Sequence, residues 1–255
     1  MPQRIMTSRP SNPDPSRLPI QHPDYRYTPT KNIYGEKIKE FSDLIHSDQD
    51  TEARRGEWRS SFRDAASSLK KTNRRKLHVE VGCNGGHVIL EWATKNPDDA
   101  WIGLDWKFKQ IYRGGEKAHK RGLKNLMFFR ANLARLKYMF APGEIDHLYL
   151  YFPDPWAKKS QWKNRSITAE SLRELRTLIA EGGVFHIKTD HAGYFEWMSE
   201  AFAQVGDIWK IERITQDLHA GNPDAGKLQI PDVTLFEKLF IKDGIPINSA
   251  WLRAI

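Results

Sequence analysis

The sequence has a single cysteine, no long apolar run and fewer acidic than basic residues. One cysteine, Cys83, excludes an internal disulfide and any zinc site built from several thiolates, which fits a reducing compartment. No run of about 18 apolar residues is present, so no transmembrane helix and no membrane partner is expected. No cluster of His, Cys or carboxylate residues has metal-ligand spacing, and we therefore expect no metal.

Acidic residues number 32 against 40 Lys and Arg, which leaves a formal charge of +8 over 255 residues. Such an excess favours a polyanionic partner over a small neutral metabolite. The start of the chain lacks the apolar core of a signal peptide, so the cytoplasm is the expected compartment. Composition leaves the oligomeric state open between monomer and homodimer.

Proline is concentrated at the start of the chain, where seven of the fourteen lie within the first thirty residues. A basic segment of this kind cannot bury enough apolar surface to order itself. We therefore predict a basic, proline-rich, disordered arm over residues 1–33. Residues 34–76 are predicted to form a helical extension that ends in a basic linker, and residues 77–255 to form the main domain.

Strand and helix patterns alternate through the main domain. Strands are predicted at 77–81, 101–105, 126–129, 145–152, 184–187, 208–211 and 235–241. Helices are predicted at 87–94, 108–120, 167–179, the last closed by the two glycines that follow, and 194–202. Alternation of this kind predicts an α/β fold, doubly wound, with a mostly parallel sheet of seven strands.

The fourth predicted strand runs into Phe152-Pro-Asp-Pro-Trp-Ala-Lys-Lys159. Neither proline can donate a ladder hydrogen bond, so the strand stops and Asp154 is held on a stiff backbone at its end. In open α/β sheets, ligands bind at this edge. A rigid acid followed by an aromatic ring and two cations suits a planar base attached to a phosphate backbone.

The first predicted strand ends in Glu80 and a glycine turn, and the next two strands end in Asp105 and Asn132. A strand, a glycine turn and a helix form a cradle that a ligand can approach closely. The glycines do not follow the G-x-G-x-x-G dinucleotide pattern, and an acid before the turn repels phosphate. The acid suits a cationic ligand, so the set favours S-adenosylmethionine over NAD.

These segments recur in order in a known family, together with Gly183-Val-Phe-His-Ile-Lys-Thr-Asp190 and Thr234-Leu-Phe-Glu237. The chain resembles the bacterial-type tRNA (guanine-N7)-methyltransferases, which have the class I, Rossmann-like, S-adenosylmethionine-dependent fold. The resemblance covers roughly residues 77–244. It implies methyl transfer from S-adenosylmethionine to N7 of guanine 46 in the variable loop of tRNA.

The resemblance also implies roles for individual residues. The implied cofactor-site residues are Glu80, Gly82, Gly86, Asp105, Asn132 and Asp154, and Asp154 is the implied catalytic residue. The implied substrate-binding residues are Lys158, Asp190, Thr234 and Glu237. The sequence departs from the family at Asn84, which replaces a glycine, at Asp105, where Glu is more usual, and at 160–164, where cations are fewer.

Two other functions fit the same patterns. An amino-group methyltransferase acting on a nucleic acid has an Asn/Asp-Pro-Pro-aromatic motif at the same strand end, and the Asp between the prolines argues against it. A tRNA-binding module could keep the fold and have weak or no catalysis, as the fewer cations would permit. A small-molecule methyltransferase is least favoured, because it would not need the basic excess.

Overall fold

The computed structural model describes residues 32–62, 75–222, 224 and 233–255. At its centre lies one sheet, whose strands are β1 (Ile45–His46), β2 (Leu77–Val81), β3 (Ala100–Asp105), β4 (Leu126–Arg130), β5 (Ile145–Tyr151), β6 (Ile179–Thr189), β7 (Trp209–Thr215) and β8 (Asn248–Ala254). Their order across the sheet is β1-β4-β3-β2-β5-β6-β8-β7. Strands β1 to β6 pair in parallel, and β8 is antiparallel to both β6 and β7.

Helices cover both faces of this sheet. They are α1 (Ile33–Lys37), α2 (Asp48–Ala53), α3 (Trp58–Ser61), α4 (Ile89–Lys95), α5 (Phe108–Lys120), α6 (Leu136–Met139), α7 (Ala169–Leu178), α8 (Ala192–Ala203) and α9 (Leu235–Lys242). Helices α4 and α5 share one apolar core with β3 and β4. Helices α6, α7 and α8 share the other core with β2, β5, β6 and β8. The predicted doubly wound, mostly parallel α/β fold is confirmed.

The predicted number and placement of strands need correction. Within the described ranges the sheet has eight strands, since β1 adds a two-residue pairing beside β4. The predicted strand 235–241 is helix α9, and the last strand is β8, which the sequence patterns did not identify. Thr234 starts α9, because its side chain accepts from the Glu237 backbone N–H at 3.0 Å while the Glu237 carboxylate accepts from the Thr234 N–H at 2.9 Å.

The predicted end of the helix over 167–179 is also wrong. Helix α7 stops at Leu178, and β6 begins at Ile179 and continues through both glycines. A Cβ at Gly183 would lie 2.8 Å from the carbonyl oxygen of Asp146 on β5. Glycine is therefore needed for close approach of two strands and does not mark the end of the helix.

The predicted N-terminal regions fall largely outside the described residues. Of the arm over residues 1–33, only the last two are described, and residues 63–74 of the extension and linker are not. The described part of 34–76 contains three short helices, a 3-10 turn (Ile38–Phe41) and β1. No helix among the described residues is both long and apolar enough to cross a bilayer.

Helix α5 packs unusually close to the sheet through two adjacent glycines. A Cβ added at Gly114 would meet the Phe128 ring on β4 at 2.6 Å, and one at Gly115 would meet Ile45 on β1 at 2.5 Å. Glycine inside a helix normally lowers stability relative to alanine. Here it lets α5 sit against β1 and β4, close to the edge at which β3 and β4 end.

We expect Gly114→Ala to lower the free energy of unfolding by roughly 1–3 kcal/mol, because the added methyl overpacks the contact with Phe128. Gly193→Ala in α8 is the matched control, since a Cβ there would approach only the His191 ring, at 3.5 Å. That control should be as stable as the wild type or gain up to about 1 kcal/mol. Thermal and denaturant unfolding measure both; equal behaviour of the two variants would contradict the packing argument.

Candidate active site

The strand ends of β2 to β5 open into one cleft of about 1110 Å³. Of the ten predicted site residues, six line it: Glu80, Gly82, Asp105, Asn132, Asp154 and Thr234. The remaining four, Gly86, Lys158, Asp190 and Glu237, lie around it without lining it. Parallel strands put their carboxyl ends at one edge, and this explains why residues so far apart in sequence meet here.

The glycine turn after β2 has three residues in the left-handed backbone region. They are Gly82 at φ +79°, Asn84 at φ +53° and Gly86 at φ +74°. Asn84 takes the conformation that glycine would supply, because asparagine tolerates it better than most residues. A Cβ at Gly86 would lie 3.0 Å from the Phe128 ring, so the absence of a side chain at Gly86 lets this ring pack against the turn.

Asp105 connects this turn to β3. Its carboxylate accepts the Asn84 N–H at 3.0 Å and the Lys107 N–H at 2.8 Å, one on each oxygen. Burial raises the pKa of Asp105, and these two backbone hydrogen bonds act in the opposite direction. The bonds hold the carboxylate in place at the wall of the cleft, where it has room to accept further donors.

Glu80 is the most deeply buried acid of the cleft wall, with 5 % of its surface exposed. Burial, and then the neighbouring Asp105, raise its pKa to about 8, against a backbone hydrogen bond from Ile89 and the charge of Lys188. Glu80 Oε2 and Asn132 Oδ1 are buried and have no hydrogen-bond partner among the described residues. Two unpartnered acceptors in an acidic cradle fit a ligand that brings cationic N–H donors.

Asp154 projects from the proline loop that lines the cleft, and its side chain is exposed. The loop holds two bulky aromatic residues at positive φ, Phe152 at +54° and Trp156 at +46°. Such values are costly for residues with large side chains and are found where the surrounding structure enforces them. The two strained residues flank the Pro-Asp-Pro sequence and set the direction in which Asp154 leaves the backbone.

Contacts from the following segment hold that loop in place. Arg165 Nε donates to the carbonyl oxygen of Pro155 at 3.0 Å. Tyr194 Oη on α8 accepts the backbone N–H groups of Ser166 and Ile167 at 3.1 and 3.3 Å. These contacts fix the loop to the body of the domain, so Asp154 has a defined position although it is exposed.

The other predicted substrate residues differ in exposure. Lys158 is exposed at the start of the 3-10 helix Lys159–Asn164, and Asp190 is half-buried after β6. Thr234 lines the cleft and caps α9. Glu237 is fully buried, so in this structure it has no free surface toward a ligand.

Several cleft residues were missed by the sequence analysis. Lys137 on α6 and Glu174 on α7 form an ion pair of 2.6 Å across one end of the cleft. Trp106 lines the wall beside Asp105, with the Arg130 guanidinium 3.8 Å above its ring. The one signal in the sequence for Trp106 as a cleft residue was its position directly after the strand-end acid. The pairing of α6 with α7 has no signal in the sequence.

Two residue types that could suggest other chemistry do not support it. Burial raises the pKa of the Cys83 thiol well above its usual value, which disfavours the nucleophilic thiolate. Within the described ranges, no group of three or more His, Cys, Asp or Glu side chains is arranged to hold a metal ion.

Comparison with known proteins agrees with this geometry. A family model described as a putative methyltransferase matches residues 74–248. The tRNA (guanine-N(7)-)-methyltransferase of Bdellovibrio bacteriovorus is 33% identical over 201 residues, which cover 79% of this chain and 90% of that protein. The chain belongs to the tRNA (guanine-N7)-methyltransferase family. The enzyme of that name from Streptococcus suis is 34% identical over 148 residues, 58% of this chain and 69% of its own length.

A solved structure supports the fold of this methyltransferase. The antibiotic-resistance methyltransferase Kmr superposes with a TM-score of 0.53 at 16% identity, over 77% of this chain and 92% of that one. At such low identity the match concerns the fold alone. The family, the enzyme class and the α/β fold predicted from the sequence are thus confirmed, whereas the roles of single residues stay predictions.

We expect Glu80 to make stability depend on pH. Its pKa is about 8 in the folded protein against an ordinary value of 4.5. Between these values the folded state binds more protons than the unfolded state, so the free energy of unfolding falls as pH rises from about 5 to 8. Glu80→Gln cannot ionise, and should lose less stability across that window, by on the order of a few kcal/mol.

Denaturant unfolding at several pH values measures this difference. Glu181→Gln, which removes an exposed carboxylate on β6, is the control and should follow the wild type. Parallel curves for Glu80→Gln and the wild type would show that Glu80 does not titrate in this range.

Proposed function

We propose that this methyltransferase transfers the methyl group of S-adenosylmethionine to N7 of guanine 46 in the variable loop of tRNA. The observation that carries the proposal is the placement of exposed Asp154, on its proline loop, in the same cleft as buried Glu80 and half-buried Asp105. One side of the cleft suits a cationic cofactor and the other a purine edge. We assign this chemistry to residues 77–255 and, with a tRNA substrate, to the cytoplasm.

Glu80, Asp105 and Asn132 would hold the cofactor. The unpartnered oxygens of Glu80 and Asn132 suit its ammonium and amino donors, and Asp105 suits the hydroxyls of an adenosine ribose. Gly82 leaves open space on the cleft side of the turn, since a Cβ there would meet nothing within 4 Å. Bound S-adenosylmethionine supplies a methyl group on a positively charged sulfur.

Asp154 would orient the acceptor guanine. N7 carries an available lone pair at neutral pH, so its methylation releases no proton and needs no general base. The protein contributes by positioning, and by carboxylates that stabilise the positive charge developing on the ring. Asp154 can accept from the N1–H or the exocyclic amine of guanine, and half-buried Asp190 would assist from the end of β6.

Arg165 supports a nucleic-acid substrate. Only 6 % of its surface is exposed, and its guanidinium lies 4.5 to 5.0 Å from the rings of Trp162, Tyr194 and Trp197. Its Nε donates to the carbonyl oxygen of Pro155. A buried guanidinium on the cleft wall suits a phosphate of the strand that carries the guanine.

Exposed Lys158 would add a further phosphate contact, and Thr234 lies where it can face the substrate. Because phosphate contacts release counterions, tRNA binding should weaken as salt rises. Glu237 is buried, and we therefore assign it a supporting role through α9 instead of a direct contact.

Methyl transfer from labelled S-adenosylmethionine to two tRNAs tests this function. The tRNAs differ only in guanine or 7-deazaguanine at position 46, and we expect label on the first alone, because the second lacks the N7 lone pair. Label on both would move the target to another atom and revive an amino-group methyltransferase. Label on neither, with cofactor bound, would identify a tRNA-binding module.

Asp154→Asn should reduce kcat about 100-fold or more, since the amide cannot stabilise positive charge on the purine. Single-turnover methyl transfer measures the effect, and the thermal midpoint should be unchanged because the side chain is exposed. Glu200→Gln, at an exposed site on α8, is the control and should keep full activity. Near-normal turnover of folded Asp154→Asn would remove Asp154 from the mechanism.

A further inference from the structure

Helix α9 exposes apolar residues and buries a charged one, which is the reverse of an ordinary surface helix. Its apolar residues Leu235, Phe236 and Leu239 are 44, 50 and 57 % exposed, and all three line the cleft. Its one fully buried residue is Glu237, with none of its surface exposed. A charged residue in the only buried position is uncommon, because a buried carboxylate is costly unless it is paired.

Every oxygen of the Glu237 carboxylate is paired. Oε1 accepts from Lys188 Nζ at 2.9 Å and contacts His219 Nε2 at 3.0 Å. Oε2 accepts the backbone N–H of Thr234 at 2.9 Å. Lys188 is itself buried, with 6 % exposed, so the pair is an internal contact between α9 and the end of β6.

Lys188 also lies on the sheet face that carries Glu80. Glu80 on β2 is in register with Tyr149 on β5, and Tyr149 with His186 on β6, two residues before Lys188. The ammonium of Lys188 lies 4.8 Å from the ring of Tyr151, which is opposite it on β5. The same cation therefore pairs with the acid that anchors α9 and lies on the sheet face that carries the acid at the cofactor end of the cleft.

Its charge acts on both carboxylates. The ionisable groups that bear on Glu80 are Asp105, Cys83, Tyr149, Tyr151 and Lys188. Lys188 is the one cation in that set, and it lowers the pKa of Glu80 against the effects of burial and Asp105. Without it, Glu237 would lose its paired ammonium, and the sheet face of Glu80 would lose the charge over Tyr151.

We propose that Lys188 is a positioning residue that serves both sides of the cleft. It pairs with Glu237 to hold α9 at the rim, and over Tyr151 it places a positive charge on the sheet face of Glu80, the acid that would receive the cofactor. The inference rests on the proposed function, which supplies the identity of the two ligands. Held in this way, α9 presents Phe236, beside Phe152 with ring centroids 6.2 Å apart, as an apolar contact for the acceptor base.

Four variants of the full chain test the inference. Lys188→Met removes the cation, and Lys188→Arg keeps it. Lys188→Met/Glu237→Gln removes both charges and keeps a side-chain oxygen that can accept the Thr234 N–H, so the start of α9 stays capped. Lys242→Met removes an exposed lysine from the same helix and is the control.

The readouts are hydrogen exchange of the α9 amides, the Kd for S-adenosylmethionine and the KM for tRNA. In Lys188→Met we expect α9 exchange at least tenfold faster, and both Kd and KM at least tenfold higher. In the double variant, α9 exchange and KM should return to within about threefold of the wild type, whereas the Kd should stay high. Lys188→Arg and Lys242→Met should resemble the wild type in all three.

A merely structural role would move Kd and KM together in every variant, so their separation in the double variant is decisive. Unchanged α9 exchange in Lys188→Met would overturn the inference. If that variant does not fold, the double variant still shows whether the Kd and the KM change separately, and Lys188→Arg is its reference. Hydrogen exchange needs no turnover, so a wild type that transfers no methyl group would refute the proposed function while the anchor is still tested.

Discussion

Parallel pairing of β2 with β3 and β5 brings the polar side chains of the cleft together. Glu80 is in register with Gly103 on one side and Tyr149 on the other, so the three strands end at nearly the same level. The glycine turn, Asp105 and the proline loop then follow within a few residues and share one cleft. The strand register thus fixes how far apart the strand ends lie. The functional side chains follow those ends within a few residues, so little further chain is needed to bring them into the cleft.

The cleft concentrates features that lower stability. Glu80 is buried with one oxygen unpartnered, and Phe152 and Trp156 hold positive φ values that cost on the order of 1–3 kcal/mol each. Away from the cleft, both faces of the sheet are covered by apolar helix surfaces. Local costs at ligand-facing residues, compensated by the body of the fold, are typical of functional sites.

Local patterns predicted the elements whose signals are strong and continuous. Helix α5 has both predicted ends, and the glycine turn and proline loop lie where their residues indicated. The apolar run of α9 fits a strand as well as a helix, and its capping residues, Thr234 and Glu237, decide between them. The burial of Arg165 was not predicted. Aromatic rings up to 32 residues away surround its guanidinium, and no local pattern records such contacts.

The Phe128 ring is enclosed by three glycines from separate elements. Cβ atoms at Gly86, Gly103 and Gly114 would each come within 3.1 Å of that ring. The ring and the three glycines therefore share one fixed volume, to which a turn, two strands and a helix contribute. A larger residue at any of the three would press on a ring of fixed size, so the shape of the glycine turn after β2 depends on the size of a side chain on a different strand.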